Sequence, residues 1–140
     1  MSAAKPSVLF VCVHNAGKSQ MAAALMRAKA GDSVAVFSGG THHGDALNAE
    51  AQSAVAELGV SMDGEYPKAI TDEVFKTVDR IVILGNEAKL TPTDGMSGTI
   101  ETWFTPETTA ADGDKLAQTR IVRDDIVKRI DSLYLELVNH

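Results

Sequence analysis

Val8-Leu9-Phe10-Val11-Cys12-Val13-His14-Asn15-Ala16-Gly17-Lys18-Ser19 is the stretch whose reading decides the fold. An apolar run ends in a short polar turn, and a helix-forming stretch follows directly, so strand passes to helix within a few residues. The only cysteine of the 140-residue sequence lies on that turn. A phosphate-sized oxyanion binds at such a place.

Successive backbone N–H groups around a tight loop, together with the open amides of a first helical turn, make a concave donor cup that the helix dipole biases toward anions. Asn15 and Gly17 are residue types that readily take the left-handed conformations a cup needs. Amides from Val13, His14, Asn15, Ala16, Gly17, Lys18 and Ser19 are the candidate oxyanion binders. A thiol at the mouth feels the same field, which favours its thiolate, as does a nearby cation. Lys18 is the candidate cation, and Ser19 supplies a hydroxyl hydrogen bond to the sulfur. The reading is an activated thiolate facing a tetrahedral oxyanion. The alternative is an inert cysteine packed as a small apolar residue; the flanking Asn, Gly, Lys and Ser favour the first.

Composition agrees with a small enzyme of one domain, residues 1–140, with 44% hydrophobic residues and enough chain for a core without staples. Thirteen basic against nineteen acidic residues give a net charge of −6, which argues against nucleic acid or an acidic membrane as partner. A lone cysteine excludes an internal disulfide and fits a reducing, cytoplasmic compartment. The N-terminus does not read as a signal peptide, and no window reaches membrane-span length.

Along the chain, short apolar runs alternate with helical periodicity, the pattern of a parallel sheet covered by helices. Strands are expected at 8–13, 34–38 and 80–85, with a weaker one at 99–103. A helix from about 19 to 30 puts Met21, Leu25 and Ala28 on one face. A second, from about 48 to 58, buries Ala51, Ala54, Val55 and Leu58 and stops at Gly59. Thr71-Asp72-Glu73 opens a short helix carrying Val74 and Phe75. A last helix, 115–137, aligns Ile126, Ile130, Leu133 and Leu137 in one stripe. The polar stretches 91–98 and 105–114 read as loops. Ligands of an open α/β sheet bind beyond the carboxyl ends of its strands, where Cys12 sits.

Cys-x-x-Asn-x-x-Lys-Ser-Gln-Met-Ala after the first strand, with Ser38-Gly39-Gly40-Thr41 after the second, resembles the low-molecular-weight tyrosine phosphatase superfamily in its arsenate reductase branch. The resemblance extends through Val78-Asp79-Arg80-Ile81-Val82, Trp103 and Ile121-Val122-Arg123-Asp124. It implies a three-layer α/β/α fold with a four-stranded parallel sheet. The chain departs from the family's Cys-x5-Arg-Ser loop at Lys18. A guanidinium grips two oxyanion oxygens with a planar fork, whereas an ammonium is a compact point charge. The change counts against efficient phosphoryl transfer, which relies on close positioning of the equatorial oxygens. The lysine form resembles single-cysteine arsenate reductases that use mycothiol.

Thioredoxin-coupled relatives carry two further cysteines after the strand matching 80–85, where this chain reads Gly85-Asn86-Glu87-Ala88-Lys89-Leu90-Thr91-Pro92. Without a resolving thiol, an external one must attack the Cys12–arsenate adduct or condense with activated arsenate. The resemblance implies arsenate as substrate, mycothiol as co-substrate, a mycoredoxin-like redoxin as partner, and no bound cofactor or metal. It also places Lys68 where relatives have an acidic potassium ligand, so its ammonium is expected to replace the ion beside Asn15 and, with Ser38, to tune the thiol's acidity. The relatives' general acid stands in an Asp-Pro pair; here Trp103-Phe104-Thr105-Pro106-Glu107 has none, leaving Glu107 or Asp112 as candidates, or no acid at all. His42-His43 reads as a polar loop rather than a metal site, and Trp103 as packing. Three functions remain open: a thiol-dependent arsenate reductase, a tyrosine phosphatase, and a non-catalytic oxyanion binder.

Overall fold

A computed structural model describes residues 5–92, 94–105 and 115–139. Its elements in order are β1 (Ser7–Cys12), α1 (Lys18–Ala30), a 3-10 turn (Gly31–Ser33), β2 (Ala35–Gly40), α2 (Ala49–Ala56), α3 (Asp72–Thr77), β3 (Arg80–Leu84), β4 (Thr99–Trp103) and α4 (Lys115–Val138). All strand pairs are parallel, and the spatial order is β2-β1-β3-β4.

Side-chain alternation along β1 and β3 divides the apolar residues between two faces. Val8, Phe10, Val82 and Leu84 join the larger core under α1, α2 and α4, whereas Leu9, Val11, Ile81 and Ile83 join a smaller one with Val78 and Ala88, against which Val74 and Phe75 of α3 pack. Burial on both faces is why the central strands are continuous apolar runs rather than alternating ones. Cys12 follows the parity of Phe10 and packs on the larger core. Ile126, Ile130, Leu133 and Leu137 form the buried stripe of α4. No helix among the described residues is long and apolar enough to cross a membrane.

Two packing expectations are corrected. Leu58 is exposed, because α2 ends at Ala56 and the chain then turns through Gly59 at φ 78°, with Val60 N–H bonded to Val55 O. Ala28 is exposed as well: α1 is enclosed over Ser19–Met26, where Ala22, Ala23 and Ala24 let β1, β2, α2 and α4 close around it, and in its last turn Ala28 and Lys29 face solvent while Ala30 stays buried. Spacing shows which face an apolar residue takes, but it does not show where the neighbours stop.

The sheet order makes the carboxyl end of β1 a switch point: the chain leaves β1 toward β2 on one side, while β3 lies on the other. Such a crevice is where open α/β sheets hold ligands.

Candidate active site

The loop from Cys12 to Gly17 is held by its carbonyls. Cys12 O accepts from Thr41 N at 3.2 Å, Val13 O from His42 N at 2.8 Å, His14 O from Gly44 N at 2.9 Å, Ala16 O from Asn48 N at 2.8 Å and Gly17 O from Met21 N at 2.9 Å. Asn15 O accepts from the buried Gln20 side chain at 3.1 Å. Every carbonyl of the loop is thus engaged, by donors of 41–48 or of α1, and none is left to oppose an anion at the loop's N–H groups. Gly40 makes this approach possible, since a Cβ there would stand 2.6 Å from Val13 O.

Asn15 is the pivot. It is fully buried, and it is the one non-glycine among the described residues with a positive φ, 53°. Its backbone N–H donates to Cys12 Sγ at 3.2 Å. Its side-chain Nδ2 donates to Ser19 Oγ at 2.7 Å, and Ser19 Oγ lies 2.9 Å from Cys12 Sγ. Ser19 Oγ therefore accepts from Asn15 and keeps its own proton available for the sulfur. Two polar contacts thus converge on the sulfur. Asn15 Oδ1 accepts from Gln20 Nε2 at 3.1 Å and from Lys68 N at 3.0 Å, which fixes the amide's orientation.

α1 begins at Lys18 without a side-chain cap, and Gly17 stands at its N-cap. A helix of thirteen residues presents unpaired amides and the positive end of its dipole at that point. The thiol, the loop and this terminus border a cavity of about 350 Å³, to which Leu84 and Gly85 after β3 and Phe104 and Thr105 after β4 also contribute. Lys18 lines it, and its Nζ lies where a Cβ on Gly85 would crowd it at 3.4 Å; Gly85, at φ 89°, leaves that room. Lys18 is in none of the ion pairs among the described residues.

Lys68 meets Asn15 through its backbone, while its ammonium bonds Ser38 Oγ at 3.4 Å, pairs with Glu65 at 3.5 Å and lies 5.0 Å above the Tyr66 ring. Burial pushes the Lys68 pKa down, against the opposing pull of Glu65. Ser38 thus contacts Lys68, and Asn15 is bonded to Ser19, Gln20 and the Lys68 backbone instead. His14 Nδ1 lies 3.1 Å from His42 O at the exposed rim. No group of His, Cys, Asp or Glu among the described residues is arranged to hold a metal ion. Glu107 and Asp112, the general-acid candidates, lie outside the described residues. Trp103 is buried, with its ring 5.9 Å from that of Phe10 and Nε1 bonded to Glu101.

Sequence reading missed Gln20 and the 41–48 segment as supports of the loop. Gln20 carried a signal, as a polar residue at a helical position flanked by Met21 and Ala22. The backbone donors of 41–48 carry none, since any residue type supplies an N–H.

A profile of the low molecular weight phosphotyrosine protein phosphatase family matches residues 7–97. A putative arsenate reductase of Halobacterium salinarum is 30% identical over 132 residues, spanning 91% of this chain and 89% of the relative. An arsenate reductase of Halalkalibacterium halodurans is 31% identical over 90% of this chain and 93% of its own. Among solved structures, a thioredoxin-dependent arsenate reductase of Corynebacterium glutamicum superposes with a TM-score of 0.77 at 29% identity, covering 98% of this chain, which spans 64% of that longer protein. A tyrosine phosphatase of T. tengcongensis shares the fold, with a TM-score of 0.78 at 20% identity. The profile match and these relatives, together with a cysteine loop built at the switch point of a four-stranded parallel sheet, place the chain in the low molecular weight phosphotyrosine protein phosphatase family.

Proposed function

We propose that this protein is an arsenate reductase in which Cys12 activates arsenate and an external thiol completes the conjugate. The observation that carries the reading is the arrangement of the loop: six carbonyls engaged by donors, the Asn15 amide and the Ser19 hydroxyl at one sulfur, and Lys18 on the wall of the same cavity. The relatives named arsenate reductase, at 30% and 31% identity over nearly the whole chain, supply the choice of oxyanion.

In the first step the Cys12 thiolate attacks arsenic, an As–S bond forms, and an arsenic-bound hydroxyl leaves as water once protonated. Backbone amides from Val13 to Ser19 and the Lys18 ammonium stabilise the charge on the arsenate oxygens, as an oxyanion hole does. The 140 residues hold one cysteine, so an external thiol attacks next. Its sulfur bonds arsenic, Cys12 departs as thiolate, and arsenic remains As(V). A redoxin thiolate then attacks the sulfur of this conjugate; the sulfur–sulfur bond that forms supplies the two electrons that release As(III) as arsenite. Lysine in the Arg position supports mycothiol as the thiol and a mycoredoxin as the redoxin, which sets the reaction in a reducing cytoplasm as a step of arsenate detoxification.

Lys68 acts as the resident cation behind Asn15, whose Oδ1 its backbone N–H holds and whose Nδ2 bonds Ser19. Lys68→Ala slows alkylation of Cys12 at neutral pH several-fold; an unchanged rate, with an unaltered response to added potassium, contradicts this role.

The reaction is tested with arsenate and NADPH in three arms: mycothiol with mycoredoxin, thioredoxin, and glutathione with glutaredoxin, alongside p-nitrophenyl phosphate hydrolysis. Arsenate-dependent oxidation in the mycothiol arm is the expected result. Oxidation with thioredoxin alone removes the external-thiol step and keeps the reductase, as the name of the Corynebacterium neighbour would favour. Phosphate hydrolysis without arsenate turnover transfers the protein to the phosphatase reading of its family.

A further inference from the structure

A second cavity, of about 200 Å³, lies along the open side of the edge strand β2 and shares no lining residue with the one above the loop. Its floor is apolar, made by Leu9, Ile70 and Val74 of the smaller core. Its wall carries two cations, Arg27 and Lys68, and no acidic side chain among the described residues lines it.

The rest of the chain matches these cations weakly. Glu65 is the one carboxylate among the described residues that pairs with them, from outside the cavity lining, and it stands 3.5 Å from Arg27 Nη1 and 3.5 Å from Lys68 Nζ. Glu57, by contrast, stands 2.6 Å from Arg120 and 2.6 Å from Arg123. Strong charge-assisted bonds run at about 2.7–2.9 Å, so the guanidinium and the ammonium keep donors to offer. Two cations against one carboxylate also leave a positive charge in excess. Burial pushes the Lys68 pKa down, and an anion beside the ammonium offsets that cost.

β2 adds backbone donors. Gly40 N–H bonds Lys68 O on the open side, and Ala35 N–H bonds Pro6 O on the β1 side. By the alternation of a paired strand, Val36 and Ser38 turn their N–H groups to the open side as Gly40 does. Both residues line the cavity, and Arg27 Nη2 is held there by Val36 O at 3.2 Å. Two cations and two edge amides over an apolar floor suit a carboxylate with an apolar body. An apolar cavity of about 150 Å³ holds a benzene ring, so this one matches a ring or branched chain bearing one carboxylate.

We infer that this cavity binds a small organic carboxylate and that its occupation lowers the reactivity of Cys12. The second half rests on the proposed role of Lys68 behind Asn15. Lys68 N–H holds Asn15 Oδ1, and Gln20 Nε2 bonds both Asn15 and Tyr66 O, so the segment 66–68 is joined directly to the loop. A carboxylate between Arg27 and Lys68 neutralises the ammonium, and the thiolate loses that support.

The probe is benzoate, with neutral benzamide as control, added to the full chain and to the variants Arg27→Ala and Glu65→Gln. Calorimetry gives saturable binding of benzoate and none of benzamide, and amide NMR shifts fall at 36–38 and 68–71. Arg27→Ala weakens binding about tenfold, whereas Glu65→Gln, which frees both cations, tightens it. Alkylation of Cys12 by iodoacetamide slows several-fold as the site fills, and Arg27→Ala removes this slowing while protection by arsenate persists. Absence of saturable binding, equal binding of benzamide, or shifts confined to 13–19 overturns the site and leaves the proposed function standing. Binding at the site with an unchanged alkylation rate overturns the coupling to Cys12. Binding and slowed alkylation in a chain that turns over arsenate with none of the thiols uphold the inference and overturn the proposed function.

Discussion

Two helices begin beside the same cavity, and their N-termini are finished differently. α2 is closed by Asn48, whose side chain accepts from Ala51 N at 2.8 Å while its own N–H bonds Ala16 O. The short α3 is closed in the same way by Thr71, which accepts from Val74 N at 3.3 Å. α1 has Gly17 at its N-cap and no side-chain cap, although Ser, Thr, Asp or Asn there stabilises a helix by about 1 kcal/mol. Ser19, which has the chemistry of a cap, is turned to Cys12 Sγ instead. The difference leaves the first amides of α1 open toward the cavity, as the proposed oxyanion seat requires, whereas the other two termini are closed by their own side-chain caps.

Cys12→Ser removes the group that this open terminus faces. Arsenate turnover falls by on the order of 10³-fold or more, with thermal stability nearly unchanged because oxygen replaces sulfur at a half-buried position. Residual turnover close to wild type in the coupled assay breaks the comparison outright.

Gly17→Asp closes α1 in the manner of α2. Its carboxylate accepts from the first-turn amides and repels an oxyanion, so the KM for arsenate rises by on the order of tenfold to a hundredfold. Space is available, since a Cβ at Gly17 would meet Asn48 Cβ at 3.8 Å. Unaltered arsenate kinetics would show that the amides are not the anion's seat.

Thr71→Ala opens a terminus that has no external task. It costs about 1 kcal/mol of stability, read as a lower melting temperature, with arsenate kinetics as in wild type. A matching loss of activity contradicts the division between helix termini.

The smallest effect concerns charges that pair with each other. Glu57, at the C-terminal end of α2, is bonded by Arg120 at 2.6 Å and by Arg123 at 2.6 Å, so α2 is tied to α4, and its pKa is pulled from 4.5 to about 2 by these hydrogen bonds. A lowered carboxyl pKa adds stability above pH 4.5 that is lost as pH falls toward 2. Glu57→Gln therefore lowers the melting temperature slightly at neutral pH and flattens its decline in that acid window. An unchanged acid profile shows that other carboxylates govern it.

What the sequence revealed follows from where the determining groups lie. The four parallel strands were legible because burial on both faces writes apolar runs into residues 8–11 and 81–84, and the α4 stripe because one face packs. That Cys12 meets Ser19 beside a cavity that Lys18 also lines was legible because their side-chain types share one turn. The collar of donors from Thr41, His42, Gly44 and Asn48 was not, because backbone amides leave no trace in residue type. Leu58 and Ala28 were misread for other reasons: Leu58 lies past the end of α2, and Ala28 lies on the side of the last turn of α1 away from the buried Ala30. The ammonium of Lys68 was expected beside Asn15; its backbone N–H is there instead, while the ammonium meets Ser38 and Glu65, a placement that needed coordinates.

The most direct test of the central claim, that the uncapped start of α1 holds a reactive thiolate for an external oxyanion, is the alkylation rate of Cys12 by iodoacetamide at neutral pH, with and without arsenate. The account predicts alkylation faster than that of free cysteine under the same conditions, slowed by arsenate in a saturable way, with Gly17→Asp abolishing the protection. Alkylation no faster than free cysteine and indifferent to arsenate would contradict it.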